Sequence, residues 1–409
     1  MQPLNAEQGV IWGHRLLLQR DPTASEIEEL KGVAASGWGV LRAAYMLHPE
    51  YLKRFDRAGL PWGEAIWPLD MREGLIWGYR LLFTQEPNEE QIAFHLPNAQ
   101  TIADVRRIFL FSLEFEIQGG FGNHDLLDLE VLNRFRPFCT EPAPPGFFND
   151  FLGTTTRLDH YVSSYRWKSG QVEGAPYTDS RGIHGNFEWI GTLRSVLEAR
   201  GRFVAMEIGA GWAPWLASAA IAAQKLGIDD MLLIAVEGSE EHIEFARQHF
   251  RDNGLDPDAH RILHAVCGPN DGIARFPKIL QPNEDYGAMA SFDGEEVISI
   301  AGIREGYDEV RAMSIETLMH GIDHVDLIHM DIQGAERDVI KASIDTLSAR
   351  VRRMVIGTHS RLIEGELFDL FSEHGWRLER EVPCGIRHLE DGTFWILTDG
   401  EQIWRNPRV

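Results

Sequence analysis

Cysteine is scarce in this chain of 409 residues, which contains only Cys139, Cys267 and Cys384. Three widely spaced cysteines exclude a disulfide framework, and none of them forms a C-x-x-C metal pattern. Apolar runs of about 18 residues, the length of a membrane-spanning helix, are also absent, as is a charged-then-apolar signal segment. These absences predict a cytoplasmic protein with no integral membrane segment.

Basic residues are outnumbered by acidic ones, with 39 Lys and Arg against 62 Asp and Glu and a formal net charge of −23. A nucleic-acid-binding protein needs basic patches, and an anionic membrane surface attracts Lys and Arg. We therefore expect no nucleic-acid partner and no binding to such a membrane. The hydrophobic content of 44% is enough for packed cores, and the length predicts two or more domains.

A buried strand that runs into a glycine turn, residues 204–212, is the segment around which the chain is organised. Glu207 lies near the end of the strand, and Gly209 and Gly211 follow it. A helix is predicted from Pro214, because the missing N–H of proline costs nothing in a first helical turn. Strand, glycine turn and helix open a nucleotide-binding βαβ unit, in which glycines let a ligand approach the backbone. An ordinary strand-to-helix turn has the same pattern.

Further apolar runs predict four more strands, at residues 231–237, 261–267, 325–331 and 351–356. Three of the five strands end in an acid: Glu207, Glu237 and Asp331. The carboxyl ends of parallel strands form the ligand crevice of such sheets. An acid at the end of the second strand is well placed to accept hydrogen bonds from a ribose diol, which is the role expected of Glu237.

These segments resemble the FkbM family of S-adenosylmethionine-dependent methyltransferases. The glycine motif of the family matches Glu207-Ile-Gly-Ala-Gly211, and its second-strand acid matches Glu237. Its most specific signature, roughly D-L-I-K-I-D-V-E-G-A-E, corresponds to Asp326-Leu-Ile-His-Met-Asp-Ile-Gln-Gly-Ala-Glu336. The resemblance covers roughly residues 181–409. It implies a Rossmann-like class I methyltransferase fold of the α/β class, with a mostly parallel seven-stranded sheet and helices on both faces.

The resemblance also implies S-adenosyl-L-methionine as cofactor and assigns residues to its site. The expected cofactor-binding residues are Glu188, Glu207, Gly209, Ala210, Gly211, Trp212, Glu237, Gly238 and Asp331. His359, a histidine at the end of the fifth strand, is the expected general base for a hydroxyl proton, and Asp331 would orient the hydroxyl. Two alternatives remain open: His359 as a structural histidine and Asp331 as a helix cap.

Two positions depart from the family pattern, which has glutamates where this chain has Gln333 and Gly357. A divalent metal on Asp331 and His359 would acidify an acceptor hydroxyl. The two lost acids disfavour that idea, so no metal is predicted. His329 replaces the lysine of the signature and is interpreted as a packing residue, because it lies inside an apolar strand.

The expected activity is O-methylation of a hydroxyl on a small molecule or glycan: a sugar, a surface glycan or a secondary metabolite. This follows from the resemblance and from a strand-end histidine that suits removal of a hydroxyl proton. The departures at Gln333 and Gly357 keep a second hypothesis open. In it, the chain is a catalytically inactive, methyltransferase-like scaffold or binding protein.

Residues 1–118 contain an internal repeat, in which Gly9–Leu17 recurs as Gly74–Leu82. Thr23 with Glu26, and Asn88 with Gln91, are capping-box pairs that predict helix starts in both halves. Self-similarity of this kind predicts an all-α domain of duplicated helical units. The halves resemble the helical repeat of DUF4214 domains, and we expect residues 1–118 to bind a protein partner or to self-associate.

The predicted organisation has three parts. Residues 1–118 form the helical repeat domain, residues 119–180 a proline-containing linker with a lid or buttress segment, and residues 181–409 the methyltransferase domain. Within the last part, Asp271-Gly272 predicts a tight hairpin turn. Strands near 376–381 and 393–398 are expected to pair as the closing hairpin of the sheet.

Overall fold

The computed structural model describes residues 6–18, 20–35, 37–46, 70–83, 85–110, 126–176, 184–292, 306–388 and 393–409. The chain divides into two compact units, Met1–Arg136 and Pro137–Val409. The predicted boundaries at residues 118 and 180 fall outside the described residues, so the three-part division stays a prediction. No described helix is both long and apolar enough to cross a membrane.

The regular elements described in the first unit are helices. They are α1 Ala6–Gly13, continued by a π-helical turn His14–Leu18, then α2 Ala24–Ala35, α3 Trp38–Met46, α4 Met71–Leu82, α5 Glu89–His95, α6 Ile102–Leu110 and α7 Leu126–Asn133. The first sequence repeat supplies α1–α3 and the second supplies α4–α6. Both predicted capping boxes are confirmed by reciprocal hydrogen bonds, Thr23 with Glu26 and Asn88 with Gln91.

The two repeats also share their side-chain packing. The guanidinium of Arg15 lies 5.1 Å from the ring centroid of Trp12, and that of Arg80 lies 4.8 Å from the ring centroid of Trp77. Arginine over an indole ring is a favourable cation–π contact. The role of this unit, as a repeat domain that binds a partner, stays a prediction.

A seven-stranded sheet forms the centre of the second unit, with the strand order β11-β14-β10-β9-β3-β4-β5. Five neighbouring strands are parallel: β3 Phe203–Ile208, β4 Met231–Glu237, β5 Arg261–His264, β9 Val325–Met330 and β10 Val351–Thr358. The antiparallel members are β11 Arg377–Val382 and β14 Gly400–Arg405. The predicted mostly parallel α/β sheet is confirmed.

Helices cover both faces of this sheet. They are α8 Asn186–Glu198, α9 Pro214–Lys225, α10 Glu240–Asp252, α11 Ile315–Leu318, α12 Glu336–Arg350 and α13 Arg361–Glu373. Side chains of a strand alternate between the two faces. On one face Met206 belongs to a buried core with Ile340 of α12 and Leu367 of α13. On the opposite face α8 lies so close that a Cβ at Gly191 would come within 2.5 Å of Val355.

A small three-stranded sheet follows β5, formed by β6 Val266–Cys267, β7 Gly272–Pro277 and β8 Tyr307–Met313. The predicted strand 261–267 is therefore two strands in different sheets. The predicted hairpin at Asp271-Gly272 is wrong, because β6 and β7 lie on either side of β8. Asp271 instead accepts hydrogen bonds from Ser314 N and Thr317 Oγ1, which fixes the start of α11.

The predicted closing hairpin is also wrong. Residues 394–398, which form β13, pair with β12 Gly385–His388 in a separate two-stranded ribbon. The strand that completes the sheet is β14, inserted between β10 and β11. Its run Gly-Glu-Gln-Ile-Trp-Arg is too polar for an apolar-run search, yet Gln402 is fully buried because the strand is enclosed. A further hairpin, β1 Phe147–Asn149 with β2 Thr155–Arg157, follows the proline-containing segment.

Candidate functional site

A cavity of about 380 Å³ opens at the carboxyl ends of β3, β4 and β9. This is the position of the ligand crevice in parallel sheets, and the volume is in the usual range for small ligands. All nine residues predicted to bind the cofactor line it: Glu188, Glu207, Gly209, Ala210, Gly211, Trp212, Glu237, Gly238 and Asp331. The structure thus brings them together, and their binding role stays a prediction.

The glycine turn packs against the protein itself. Gly209 has φ 77°, and a Cβ there would collide with the carbonyl oxygen of Asp331. The amide of Asp331 donates to Ile208 O at 2.9 Å, so the ends of β3 and β9 are in close contact. Gly211 has φ 52°, and a Cβ there would lie 3.3 Å from the ring of Tyr286. Gly209 is therefore required by the neighbouring strand as much as by a ligand.

Glu207 is buried at the amino-terminal end of α9. Its carboxyl group accepts hydrogen bonds from Leu216 N at 2.9 Å and from Trp215 N at 3.4 Å. Burial raises the pKa of Glu207 to about 8, although His329 and the two amides oppose the shift. Glu207 satisfies two helix-terminal amides, which would otherwise lack partners.

Glu237 ends β4 with both carboxylate oxygens held by backbone amides. Gly211 N donates to one oxygen at 2.9 Å, and Ser239 N donates to the other at 2.8 Å. His242 Nδ1 lies 3.6 Å from the carboxylate. Burial opposes ionisation, but His242 and the two amides outweigh it and keep the pKa of Glu237 below its usual value. Glu237 is thus a fixed anion in the wall of the cavity.

Tyr286 lines the cavity beside the glycine turn. Its ring stacks on His242 with centroids 4.5 Å apart and meets Trp212 edge-on at 4.8 Å. Its hydroxyl donates to the carbonyl oxygen of His160. Small and aromatic side chains continue this wall: Phe276, Ala288, Ala290 and Phe292. The segment after β7 therefore gives the cavity an apolar side.

His329 lines the cavity and is paired, which corrects its interpretation as a packing residue. Its Nε2 donates to Glu188 Oε1 at 3.0 Å, and its ring stacks on Trp215 at 5.2 Å. Burial would lower the pKa of His329, but the hydrogen bond to Glu188 and the nearby acids raise it above the usual value. A second carboxylate–histidine pair, with Glu188 supplied by α8, thus lies beside β3.

His359 lies between two carboxylates and is absent from the described residues that line the cavity. Its Nε2 is 3.3 Å from Asp331 Oδ1, and its Nδ1 is 3.0 Å from Glu336 Oε1. Burial disfavours the charged ring, but the two carboxylates outweigh burial and raise the pKa of His359 to about 11. A raised pKa favours the protonated ring, which does not accept a proton, and the role of His359 as the general base stays a prediction.

Asp331, Glu336 and His359 also bring atoms that can ligate a metal within 4.8 Å of one another. One ion binds only one nitrogen of an imidazole ring. Here Nδ1 and Nε2 face different carboxylates on different edges of the ring. Glu336 Oε1, the oxygen nearest to His359 Nδ1, also accepts hydrogen bonds from Ile332 N and Gly334 N.

Residues 216–378 match the family model described as the methyltransferase FkbM domain. A protein from Jannaschia sp. (strain CCS1), named "Putative methyltransferase", is 35% identical over 273 residues, which cover 65% of this chain and 95% of that protein. The chain belongs to the FkbM methyltransferase family.

Solved structures of other methyltransferases are also similar, at low TM-scores. Precorrin-6y C5,15-methyltransferase from Geobacter metallireducens GS-15 is 12% identical, with a TM-score of 0.30, and the match covers 56% of this chain and 91% of that chain. The C-terminal domain of precorrin-6Y C5,15-methyltransferase from Rhodobacter capsulatus is 13% identical, with a TM-score of 0.31, covering 56% and 90%.

In this FkbM methyltransferase the two residues that depart from the family pattern, Gln333 and Gly357, both lie beside Asp331. Gln333, in a left-handed backbone conformation with φ 60°, donates its side-chain amide to Asp331 Oδ1 at 2.8 Å. A Cβ at Gly357 would lie 3.1 Å from Asp331 Cγ. Burial opposes ionisation of Asp331, but His359, His329 and Gln333 hold its pKa below the usual value. His359 is thus the main cause of the low pKa of Asp331, and Gln333 and Gly357 both lie beside its carboxylate.

The charges that line the cavity are one-sided. Acidic side chains are contributed by Glu188, Glu207, Glu237, Glu284 and Asp331, of which Glu207 has a pKa raised to about 8, and no lysine or arginine occurs among the described lining residues. Positive charge there can come only from histidine, and His242 and His329 are the two with raised pKa values. This wall offers no arginine or lysine to a phosphate, which such side chains usually bind.

Proposed function

We propose that this FkbM methyltransferase uses S-adenosyl-L-methionine to methylate a hydroxyl of a sugar, a surface glycan or a secondary metabolite. The observation that carries the proposal is the cavity that joins the glycine turn, Glu237 and Asp331 at three adjacent strand ends. When bound, the cofactor supplies an electrophilic methyl group on a sulfonium. Such a reaction needs mainly proximity and orientation from the protein.

The residues present fit this cofactor. Each oxygen of Glu237 accepts one amide and retains capacity for a second hydrogen bond, as a ribose diol requires. The apolar side made by Phe276, Ala288 and Phe292 suits a flat base. The unpartnered Nδ1 of His329 is a buried polar atom that a bound group would satisfy.

Asp331 is the residue that would receive the acceptor hydroxyl. It lines the cavity, it is ionised, and it can accept a hydrogen bond and then the proton as the carbon–oxygen bond forms. His359 acts behind it as a positioning residue, since its imidazolium holds the carboxylate from the side away from the cavity lining. A neutral hydroxyl acceptor also suits a wall without lysine or arginine.

The first test is cofactor binding by calorimetry with S-adenosylhomocysteine. The Glu237→Ala variant should bind more weakly by about 2–4 kcal/mol, taking about 1–2 kcal/mol for each hydrogen bond to a charged group. Glu237→Gln is the matched control, because it keeps one acceptor oxygen and should bind with intermediate affinity. A folded wild-type protein that binds neither S-adenosylmethionine nor S-adenosylhomocysteine would remove the proposal.

The second test identifies the product. The protein and cofactor labelled in the methyl group are incubated with extract of a host that lacks the gene. We expect the label on an oxygen of a neutral acceptor. Label on nitrogen, carbon or protein would overturn the choice of a hydroxyl.

A second candidate function, an inactive methyltransferase-like scaffold, is favoured by the imidazolium state of His359 and by Gln333 and Gly357. Residues 1–118, whose repeats resemble DUF4214, would then bind a partner or a second copy. Cofactor binding without any labelled product would select this candidate over the enzyme.

A further inference from the structure

The cavity contains two buried histidine–carboxylate pairs, one on each side of the glycine turn. Because β3 lies between β9 and β4 in the sheet, the pair His329–Glu188 is on one side and the pair His242–Glu237 is on the other. Glu237 is the proposed partner of the ribose. The pair at His329 therefore faces a different part of the same ligand.

The ring of His329 is held in place, but only one of its two nitrogens has a hydrogen-bond partner among the described residues. Nε2 is used by Glu188, and the stack on Trp215 holds the plane of the ring. Nδ1 has no hydrogen-bond partner among the described residues, and the side chain is only 5% exposed. A buried polar atom without a partner costs about 1–3 kcal/mol, and more when the group is charged. A bound anion would remove that cost.

Other cationic partners for an anion are missing from the described wall. It has no lysine or arginine, and burial lowers the pKa of its third histidine, His184, so that ring is neutral. Glu188 offers the opposite charge beside His329, and its side chain keeps 18% of its surface exposed. Together they place an imidazole, whose pKa Glu188 raises, 3.0 Å from a carboxylate, an arrangement that complements a zwitterion.

We propose that Glu188 and His329 bind the α-amino-acid end of the cofactor, with the Glu188 carboxylate taking the ammonium group and the His329 imidazolium donating from Nδ1 to the carboxylate group. This inference rests on the proposed function and adds His329 to the binding residues. The four groups would form a ring of contacts in which negative and positive charges alternate: Glu188, His329, the ligand carboxylate and the ligand ammonium. Each charged group would then meet an opposite charge, as buried charges require.

The experiment compares two ligands that share a nucleoside. S-adenosylhomocysteine carries the amino-acid end, and 5′-methylthioadenosine lacks it. Calorimetry on the full chain should show that His329→Leu weakens S-adenosylhomocysteine binding by about 10–100-fold, the equivalent of one charged hydrogen bond. Binding of 5′-methylthioadenosine should stay within about threefold. His329→Lys keeps a cation and should retain most of the preference for S-adenosylhomocysteine.

His242→Leu is the matched control, since it removes a buried histidine that is paired with a carboxylate in the same cavity. It should weaken both ligands by the same factor, because it acts through Glu237. If His329→Leu and Glu188→Gln leave the ratio of the two affinities unchanged, the proposal is overturned, whether or not both affinities fall. A wild-type protein that binds neither ligand would instead overturn the proposed function itself.

Discussion

His359 shows how two neighbours decide the role of one residue. Between Asp331 and Glu336 it is an imidazolium at neutral pH, so it supplies a fixed positive charge rather than a base. The same contacts hold the pKa of Asp331 low. Removing the ring would leave the buried carboxylate of Glu336 without its cation, and breaking such a buried pair typically costs about 3–5 kcal/mol.

This state of His359 predicts a pH dependence of stability. Its pKa rises from an ordinary 6.5 to about 11 on folding. The stabilisation is therefore complete below pH 6.5 and is lost as the pH rises towards 11. Between these limits the wild type should lose up to about 1.4 kcal/mol per pH unit relative to His359→Gln, measured by urea unfolding at several pH values.

The control for this measurement is His320→Gln, which removes an exposed histidine at the end of α11. It should keep the wild-type pH dependence. Equal slopes for the wild type and His359→Gln would show that the ring is neutral in the folded protein, and His359 would return as the candidate base.

At this scale the sequence predicts acids better than it predicts histidine pairs. Glu207, Glu237 and Asp331 were predictable because strand ends can be located from apolar runs. The pair of His329 was not, since His329 lies in β9 and Glu188 lies in helix α8, 141 positions away. One feature of the sequence could have indicated this pair. His329 replaces the lysine of the family signature, and a histidine at that position keeps a group that can carry positive charge.

Among the elements, the glycine turn after β3 joins two strands as well as forming one wall of the cavity. Gly209→Ala would force a Cβ into the carbonyl of Asp331 at a left-handed φ, a conformation that costs about 1–2 kcal/mol even without a clash. We expect the free energy of unfolding to fall by more than about 2 kcal/mol. Thermal and urea unfolding would measure it.

Substitutions at two further glycines serve as controls for Gly209→Ala. A Cβ in Gly211→Ala would lie 3.3 Å from the ring of Tyr286 and meet no backbone atom within 4 Å, so most of the cost, about 1–2 kcal/mol, should come from the left-handed φ. Gly365→Ala in α13 meets no atom within 4 Å and should stabilise the protein by up to about 1 kcal/mol. A Gly209→Ala variant as stable as Gly211→Ala would show that β9 can move away from the turn.

The sheet was predictable only as far as its strands are apolar and parallel. Strands β3 and β4 are nearly continuous hydrophobic runs, as expected for strands buried on both faces, whereas Arg352 and Arg353 interrupt the run of β10. Strand β14 was missed because Gln402 and Arg405 interrupt its apolar pattern. The small sheet was misread because Asp271-Gly272 has hairpin composition, whereas the actual pairing involves β8, more than thirty residues later.

For the whole molecule, the division into two units makes a direct prediction. Every described residue that lines the cavity lies between Tyr161 and Ala335, within the second unit Pro137–Val409. Residues 137–409 expressed alone should therefore fold and bind S-adenosylhomocysteine within about threefold of the full chain, measured by calorimetry. Loss of binding in a folded fragment would mean that the first unit helps to form the site.

The inserted position of β14 has a consequence for synthesis of the chain. In the described structure β11 pairs with β14 alone, and β14 is made later. A ribosome adds about 5–20 residues per second. Until residues 400–405 are available, β11 has no neighbour that links it to β10, and the parallel part of the sheet keeps an open edge. The side-chain amide of Asn406 then fixes the late strand through hydrogen bonds to Ser348 O and Val351 O. On this side of the sheet the inner strand, β14, is therefore made after the edge strand, β11.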